Sequence, residues 1–223
     1  MSARQKISIA AALVFILGIG GEKAVFGKTY FYKESTSGNE LTIEVEINKS
    51  INGYEIKSTD SNKDGTTIQT DQAFSTLKYD ANYAGHGTSS AERSGNRILL
   101  SIHPKDETDI IKKELKISNL PWFQDWGLQL KPFILSDNKS TKFWTIRSGK
   151  WEAVKFEVEK ENIEVIEIND ESVEAIHAKI SFTGLKKMLW SGDIWFRKSD
   201  GVHLLSKMNP FSSKDYKQFV GER

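Results

Sequence analysis

The sequence contains no cysteine, which excludes disulfides, thiolate metal sites, cysteine nucleophiles and lipid attachment through an amino-terminal cysteine. Its 4 prolines and 16 glycines in 223 residues are too few for a fibrous or low-complexity chain. Neither sign of charge predominates, because 31 Lys and Arg residues face 30 Asp and Glu residues. A nucleic-acid-binding protein normally carries a basic excess, so we expect no nucleic-acid partner.

The amino terminus has the pattern of an export signal. Two basic residues precede the apolar run Ile7–Ile19, which is too short to span a bilayer comfortably. Small residues then allow cleavage after Gly27, with Ala24 as an alternative cleavage site. We therefore expect a signal peptide over residues 1–27 and a single β-rich domain over residues 28–223.

Later parts of the chain lack an apolar run of membrane-spanning length, so we expect no membrane span after signal cleavage. The export signal predicts a periplasmic or secreted protein without a lipid anchor, and it does not separate these two locations. The alternative reading of the amino terminus is an uncleaved membrane anchor.

Period-two alternation of apolar and polar residues dominates the rest of the chain. It is strict over Glu40–Ile47 and recurs over Val154–Val158 and Ile176–Phe182. Turn residues such as Asn52-Gly53 and Ser199-Asp200-Gly201 separate these segments. This pattern predicts an all-β fold, an antiparallel meander that forms one strongly curved sheet or half-barrel with one or two short helices.

Two stretches depart from the meander. Asp106–Lys116 has mixed charge and fits either a short helix or a polar edge strand. Leu120–Leu135 reads LPWFQDWGLQLKPFIL. Because proline can open a helix and glycine can end one, we expect a short helical plug over 121–127, followed by a strand to about Leu135.

The order of several motifs resembles an exported bacterial family known as domain of unknown function 3108. The motifs are PWFQ, LKPFIL, Phe143–Arg147, Val173–Ile176, Phe182–Leu185 and a D-x-W-F-x-x-x-x-G hairpin over Asp193–Gly201. The resemblance covers the chain from about Lys28 onward. It implies an exported β-protein whose curved sheet is similar to the half-barrels of periplasmic lipoprotein carriers, and it implies no catalytic residues.

Aromatic side chains are concentrated in the second half of the chain. In the simplest reading they fill the core of a protein without disulfides. In the functional reading they line the concave face of the sheet and bind an apolar ligand, with the segment Phe182–Trp190 as a flexible lip. The candidate ligand-binding residues are Trp122, Phe123, Trp126, Phe133, Trp144, Phe182, Trp190 and Trp195.

A weak calcium motif lies between two predicted strands. Asp60, Asn62, Asp64 and Asp71 have roughly the spacing of oxygen ligands in a calcium loop. The flanking segments are strands rather than helices, and Asn, Asp and Gly are common turn formers. We favour a plain polar turn, and we expect no cofactor and no metal.

The sequence offers no recognisable catalytic motif. The four histidines, His86, His103, His177 and His203, have no i+2, i+3 or i+4 spacing to one another. We therefore expect a non-enzymatic protein. A hydrolase would need His86, His103 or His203 to meet a carboxylate and a hydroxyl in the fold.

Three hypotheses follow, in order of preference. The first is an envelope protein that binds or carries an apolar, lipid-like ligand. The second is a structural or assembly protein that acts through protein contacts at a sheet edge or an apolar patch. The third is the hydrolase.

Overall fold

A computed structural model describes residues 27–36, 38–147, 149–208 and 215–223. Within these residues the chain forms fourteen β-strands, two single-turn α-helices and one 3₁₀ helix, Gly184–Leu189. The strands are β1 (Lys28–Thr36), β2 (Asn39–Ser50), β3 (Gly53–Asp60), β4 (Gly65–Asp71), β5 (Thr76–Tyr83), β6 (Gly87–Ser94), β7 (Arg97–Pro104), β8 (Ile111–Lys116), β9 (Ser140–Arg147), β10 (Glu152–Ile168), β11 (Glu171–Phe182), β12 (Ser191–Arg197), β13 (His203–Lys207) and β14 (Tyr216–Glu222). The helices are α1 (Trp126–Gln129) and α2 (Lys131–Ile134).

All the strands described belong to one antiparallel sheet, in the order β8-β7-β6-β5-β4-β3-β2-β1-β14-β13-β12-β11-β10-β9. The pairings join strands that are adjacent in sequence, except that β1 pairs with β14 and joins the two halves, while β8 and β9 do not pair and form the two edges of the described sheet. The expected all-β meander is confirmed. The proposed signal peptide, apart from Gly27, lies outside the described residues.

The sheet is curved strongly enough to pack on itself. One core cluster contains Val45 and Ile98 from the first half of the sheet and Ala175 and Leu204 from the second half. The sheet also folds over, because β8 and β10 are in contact although they lie near opposite ends of the strand order. The inner face is therefore largely filled by the protein's own side chains.

The segment between β8 and β9, which we call the plug, crosses the inside of this curve, as the sequence predicted. The predicted position of its helix, over residues 121–127, was wrong. Residues 121–123 are extended and Trp122 forms a parallel bridge with Trp144, because Pro121 carbonyl oxygen accepts a hydrogen bond from Trp144 N–H. The helix starts only after Asp125, whose carboxylate caps Leu128 N–H.

The expected strand toward Leu135 is also absent from the described chain. Pro132 lies in the first turn of α2, where its missing N–H costs nothing, and α2 replaces that strand. The mixed-charge stretch 106–116 ends in the edge strand β8, which is exposed apart from half-buried Leu115.

The turns divide between the two ends of the sheet. One end contains the β3–β4 turn, the β9–β10 turn and the β11–β12 connection, and we call this end the mouth. The other end contains the β2–β3 and β4–β5 turns. Gly87 begins β6 at the mouth with φ +98°, and a Cβ there would lie 2.1 Å from the His103 carbonyl oxygen.

Candidate functional site

Two glutamines hold the plug between opposite walls of the sheet. Gln129 is completely buried, and its amide donates to Phe74 carbonyl oxygen at 2.6 Å and to Thr76 Oγ1 at 2.8 Å. Its Oε1 accepts from the backbone N–H groups of Gln124 and Asp125 at 2.6 and 2.8 Å. All four hydrogen bonds that an amide side chain readily makes are therefore present.

Gln124 makes the matching connection to β9. Its Nε2 donates to Ile146 carbonyl oxygen at 3.0 Å, and its Oε1 accepts from Ile146 N–H at 3.1 Å. The indole N–H of Trp122 donates to the same Oε1 at 3.0 Å. Neither glutamine was predicted as a functional residue, although two amides in an otherwise aromatic and aliphatic run were a usable signal.

The eight predicted ligand-binding aromatics lie in four different environments. Trp122, Phe123 and Phe133 are buried and belong to the core. Trp144 is half-buried beside Ile146 and the core, and its indole N–H donates to Ser118 Oγ at 3.1 Å. Trp195 alternates with buried neighbours on β12 and so lies on the outer face. The remaining three, Trp126, Phe182 and Trp190, are partly exposed and come together at the mouth.

Trp195 is part of a hydrogen-bonded cluster on the outer face of the sheet. Its ring stacks on His177 at a centroid distance of 4.7 Å, and its indole N–H donates to Glu164. His177 Nε2 lies 2.9 Å from Asp193 Oδ1. These contacts account for Trp195 without any ligand.

The three remaining aromatics line a cleft of about 490 Å³, a volume within the range of small-molecule sites. Phe156 completes the aromatic wall: its ring stacks on Phe182 at 5.0 Å and meets the rings of Trp126 and Trp190 at 5.0 and 5.5 Å. The lining residues are Gln124, Trp126, Thr145, Ile146, Arg147, Phe156, Phe182 and Trp190.

Arg147 is the one charged residue of this lining. Its Nη2 pairs with Glu152, whereas its Nε is buried and has no hydrogen-bond partner within the described residues. A buried unpaired N–H costs free energy, and this N–H is able to donate a hydrogen bond to an acidic group of a ligand. The cleft thus combines apolar walls with one cation.

The other side of the plug is polar. Glu34, Gln124, Asp125 and Lys217 line two adjoining hollows there, of about 300 and 350 Å³. A second apolar hollow, of about 510 Å³, lies between Ile102, Ile111 and Trp151. It has fewer aromatic rings than the cleft and contains none of the eight predicted residues.

The weak calcium motif does not come together. Asp60 Oδ1 accepts from Asn62 and Asp64 N–H at 2.8 and 3.0 Å, which is a polar turn. Asp64 Oδ1 accepts from Ala84 N–H. Asp71 pairs with Gly53 at the opposite end of the β3–β4 hairpin, so it cannot close a shell around the other three. The described residues contain no group of three or more His, Asp or Glu that could hold a metal ion.

Neither His103 nor His203 forms a side-chain hydrogen bond to a carboxylate in the described chain, and the same holds for His86. His203 is buried between the rings of Tyr32 and Phe196, at centroid distances of 5.5 and 5.7 Å. Burial, and secondarily the Lys217 charge, lower the pKa of His203 to about 3. A neutral, enclosed imidazole of this kind is a packing residue of the core.

No family model and no curated protein matches the chain. Among solved structures it is similar to the beta-barrel-like protein of domain of unknown function DUF1849 from Brucella abortus. The two chains are 10% identical, the match covers 88% of this chain and 96% of the other, and the TM-score is 0.53. This similarity supports a β-barrel-like fold.

Proposed function

We propose that the protein binds an apolar, lipid-like ligand in the cleft and has no enzymatic role. The observation that carries this proposal is the set of four aromatic rings, Trp126, Phe156, Phe182 and Trp190, around a volume that the protein does not fill. Aromatic walls with few polar groups are typical of sites for apolar molecules.

Arg147 Nε, which has no hydrogen-bond partner among the described residues, narrows the class of ligand. An arginine binds a carboxylate or phosphate with strong, charge-assisted hydrogen bonds. We therefore propose an amphipathic ligand, with its hydrocarbon chain against the rings and its acidic head at Arg147.

We further propose that the protein is exported to the cell envelope, as the basic and apolar residues before Gly27 indicate. The resemblance to domain of unknown function 3108, which no family model confirms, would imply the same location. Amino-terminal sequencing of the protein from fractionated cells should begin at Lys28 or close to it. A chain that retains residues 1–27 in the cytoplasm would contradict export.

A contact with a protein partner is the alternative function, and the exposed β8 edge is the surface it would use. That edge has three lysines, Lys112, Lys113 and Lys116. Lysines on an exposed edge hinder strand addition, so we rank this alternative lower.

A displacement titration with cis-parinaric acid tests ligand binding in the full chain. Phe182→Ala and Trp190→Ala should each weaken binding about tenfold or more, because each ring buries a large apolar area. Trp195→Ala is the matched control, because this ring lies on the outer face and should leave binding unchanged. Unaltered affinity in both cleft variants would contradict the proposal.

A second arm of the titration tests the acidic head group. Palmitate should displace the probe better than hexadecanol does, and Arg147→Gln should remove that difference. The Arg147→Gln, Glu152→Gln double variant controls for the unpaired carboxylate that the single change leaves behind. Equal displacement by the acid and the alcohol in the unmodified protein would contradict the role of Arg147.

A further inference from the structure

An exposed apolar tip lies at the mouth, next to the cleft. It consists of Leu185, Met188 and Leu189 on the 3₁₀ helix, whose side chains are 97%, 93% and 75% exposed. In a 3₁₀ helix, residues three apart lie above one another, so Leu185 and Met188 share one side. Three large apolar side chains so fully exposed on one short element indicate a surface that is covered when the protein acts.

Two lysines lie within the same helix. Lys187 Nζ pairs with Glu159 Oε1 at 2.8 Å, whereas Lys186 is exposed and forms no ion pair within the residues described. Apolar side chains interleaved with cations are typical of segments that lie in a lipid interface, because the apolar groups enter the acyl boundary and the cations meet phosphates.

The geometry favours a lipid surface over a protein partner. A stable protein interface covers about 800 Å² on each partner, far more than three side chains on one helical turn supply. Acidic Glu157 and Glu161 of β10 lie near Lys187, whereas Lys186 on the tip forms no ion pair among the described residues and is a cation available to a phosphate.

We infer that the apolar tip inserts into an anionic lipid surface, with Lys186 at the phosphate layer. Phe182 and Trp190 flank the 3₁₀ helix in sequence and line the cleft, so docking brings the mouth of the cleft to the membrane. The inference stands on the exposure of the tip and does not require the cleft to be loaded.

Vesicle flotation of the full chain tests the inference, with phosphatidylglycerol-containing vesicles compared with phosphatidylcholine alone. The triple variant Leu185→Ser, Met188→Ser, Leu189→Ser should weaken binding about tenfold or more, because binding strength scales with the apolar area inserted. Lys186→Glu should weaken binding to the anionic vesicles by about fivefold or more, since one lysine near such a surface contributes about that much.

The absence of cysteine allows a direct test of insertion. An environment-sensitive fluorophore on Met188→Cys should shift to the blue with anionic vesicles. The same label on Ile51→Cys should not shift, because Ile51 is 88% exposed in a turn at the opposite end of the sheet.

Each outcome of the flotation and fluorescence experiments either supports or overturns insertion of the tip into a lipid surface. Flotation that the triple variant retains, or a label at residue 188 that does not shift, overturns the inference. The inference is also overturned if the unmodified protein binds no vesicles and instead forms a concentration-dependent dimer, or a protein complex, that the triple variant does not form. Vesicle binding that persists in Trp190→Ala, with loss of cis-parinaric acid binding, shows that docking and ligand binding are separate properties.

Discussion

At the scale of single residues, His203 shows how enclosure decides the properties of a side chain. The imidazole lies between two rings, and a Cβ added to Gly127 of the plug would come within 3.1 Å of it. Burial disfavours the charged form, so the pKa falls from 6.5 to about 3. The unfolded chain therefore binds a proton at mildly acidic pH that the folded chain does not bind.

This difference predicts acid sensitivity. As the pH falls below 6.5 toward about 3, His203 should lower the free energy of unfolding, at a limiting slope of about 1.4 kcal/mol per pH unit. Denaturant unfolding at several pH values should show a smaller slope in His203→Gln. His86→Gln, at an exposed turn, is the control and should keep the original slope. Equal slopes in the unmodified protein and His203→Gln would contradict this explanation.

At the scale of elements, the plug depends on hydrogen bonds as much as on apolar packing. Its two helices are single turns, which are too short to be stable alone. Gln129 connects the plug to β5 and Gln124 connects it to β9, so the two amides set its position across the sheet. That position places Trp126 beside the cleft.

We expect Gln129→Ala to lower the free energy of unfolding by about 3 kcal/mol, because it leaves buried backbone groups without partners. Chemical denaturation followed by circular dichroism measures the change. Gln69→Ala, on the exposed side of β4, should change stability by less than about 0.5 kcal/mol. A loss below about 1 kcal/mol in Gln129→Ala would mean that apolar packing alone holds the plug.

At the scale of the whole molecule, one strand pair makes the sheet continuous. The other pairings described are between strands adjacent in sequence, whereas β1 and β14 come from opposite ends of the chain. Phe219 of β14 packs edge-on against Tyr32 of β1 at 6.0 Å, and Arg197 of β12 lies over its ring. The stability of both halves should therefore depend on this junction.

Phe219→Ala should lower the free energy of unfolding by about 3–5 kcal/mol, the usual effect of truncating a buried phenylalanine. Val220→Ala is the matched control, since Val220 follows in the same strand and is 49% exposed. We expect fluorescence and circular dichroism to report one shared transition in Phe219→Ala. Two separate transitions would show that the halves of the sheet are independent.

The hairpins of this protein were determined by the sequence alone. Alternation over Glu40–Ile47 and turn residues at Asn52-Gly53 are local signals, and each corresponds to observed strands and a tight turn. The exposed apolar run LKKMLW was also predicted from the sequence, and its Leu185–Leu189 part lies in the 3₁₀ helix that follows β11. Local signals suffice where the partner strand is the next one in the chain.

Only the tertiary structure decided which aromatic rings face each other and which face a cavity. Trp122 and Trp126 lie four residues apart in one segment, yet one is fully buried and the other lines the cleft. Their environments depend on β5, β9 and β11, which are distant in sequence, and so does the path of the plug. Alternation distinguishes the two faces of a strand, but the curvature of the whole sheet determines what covers each face.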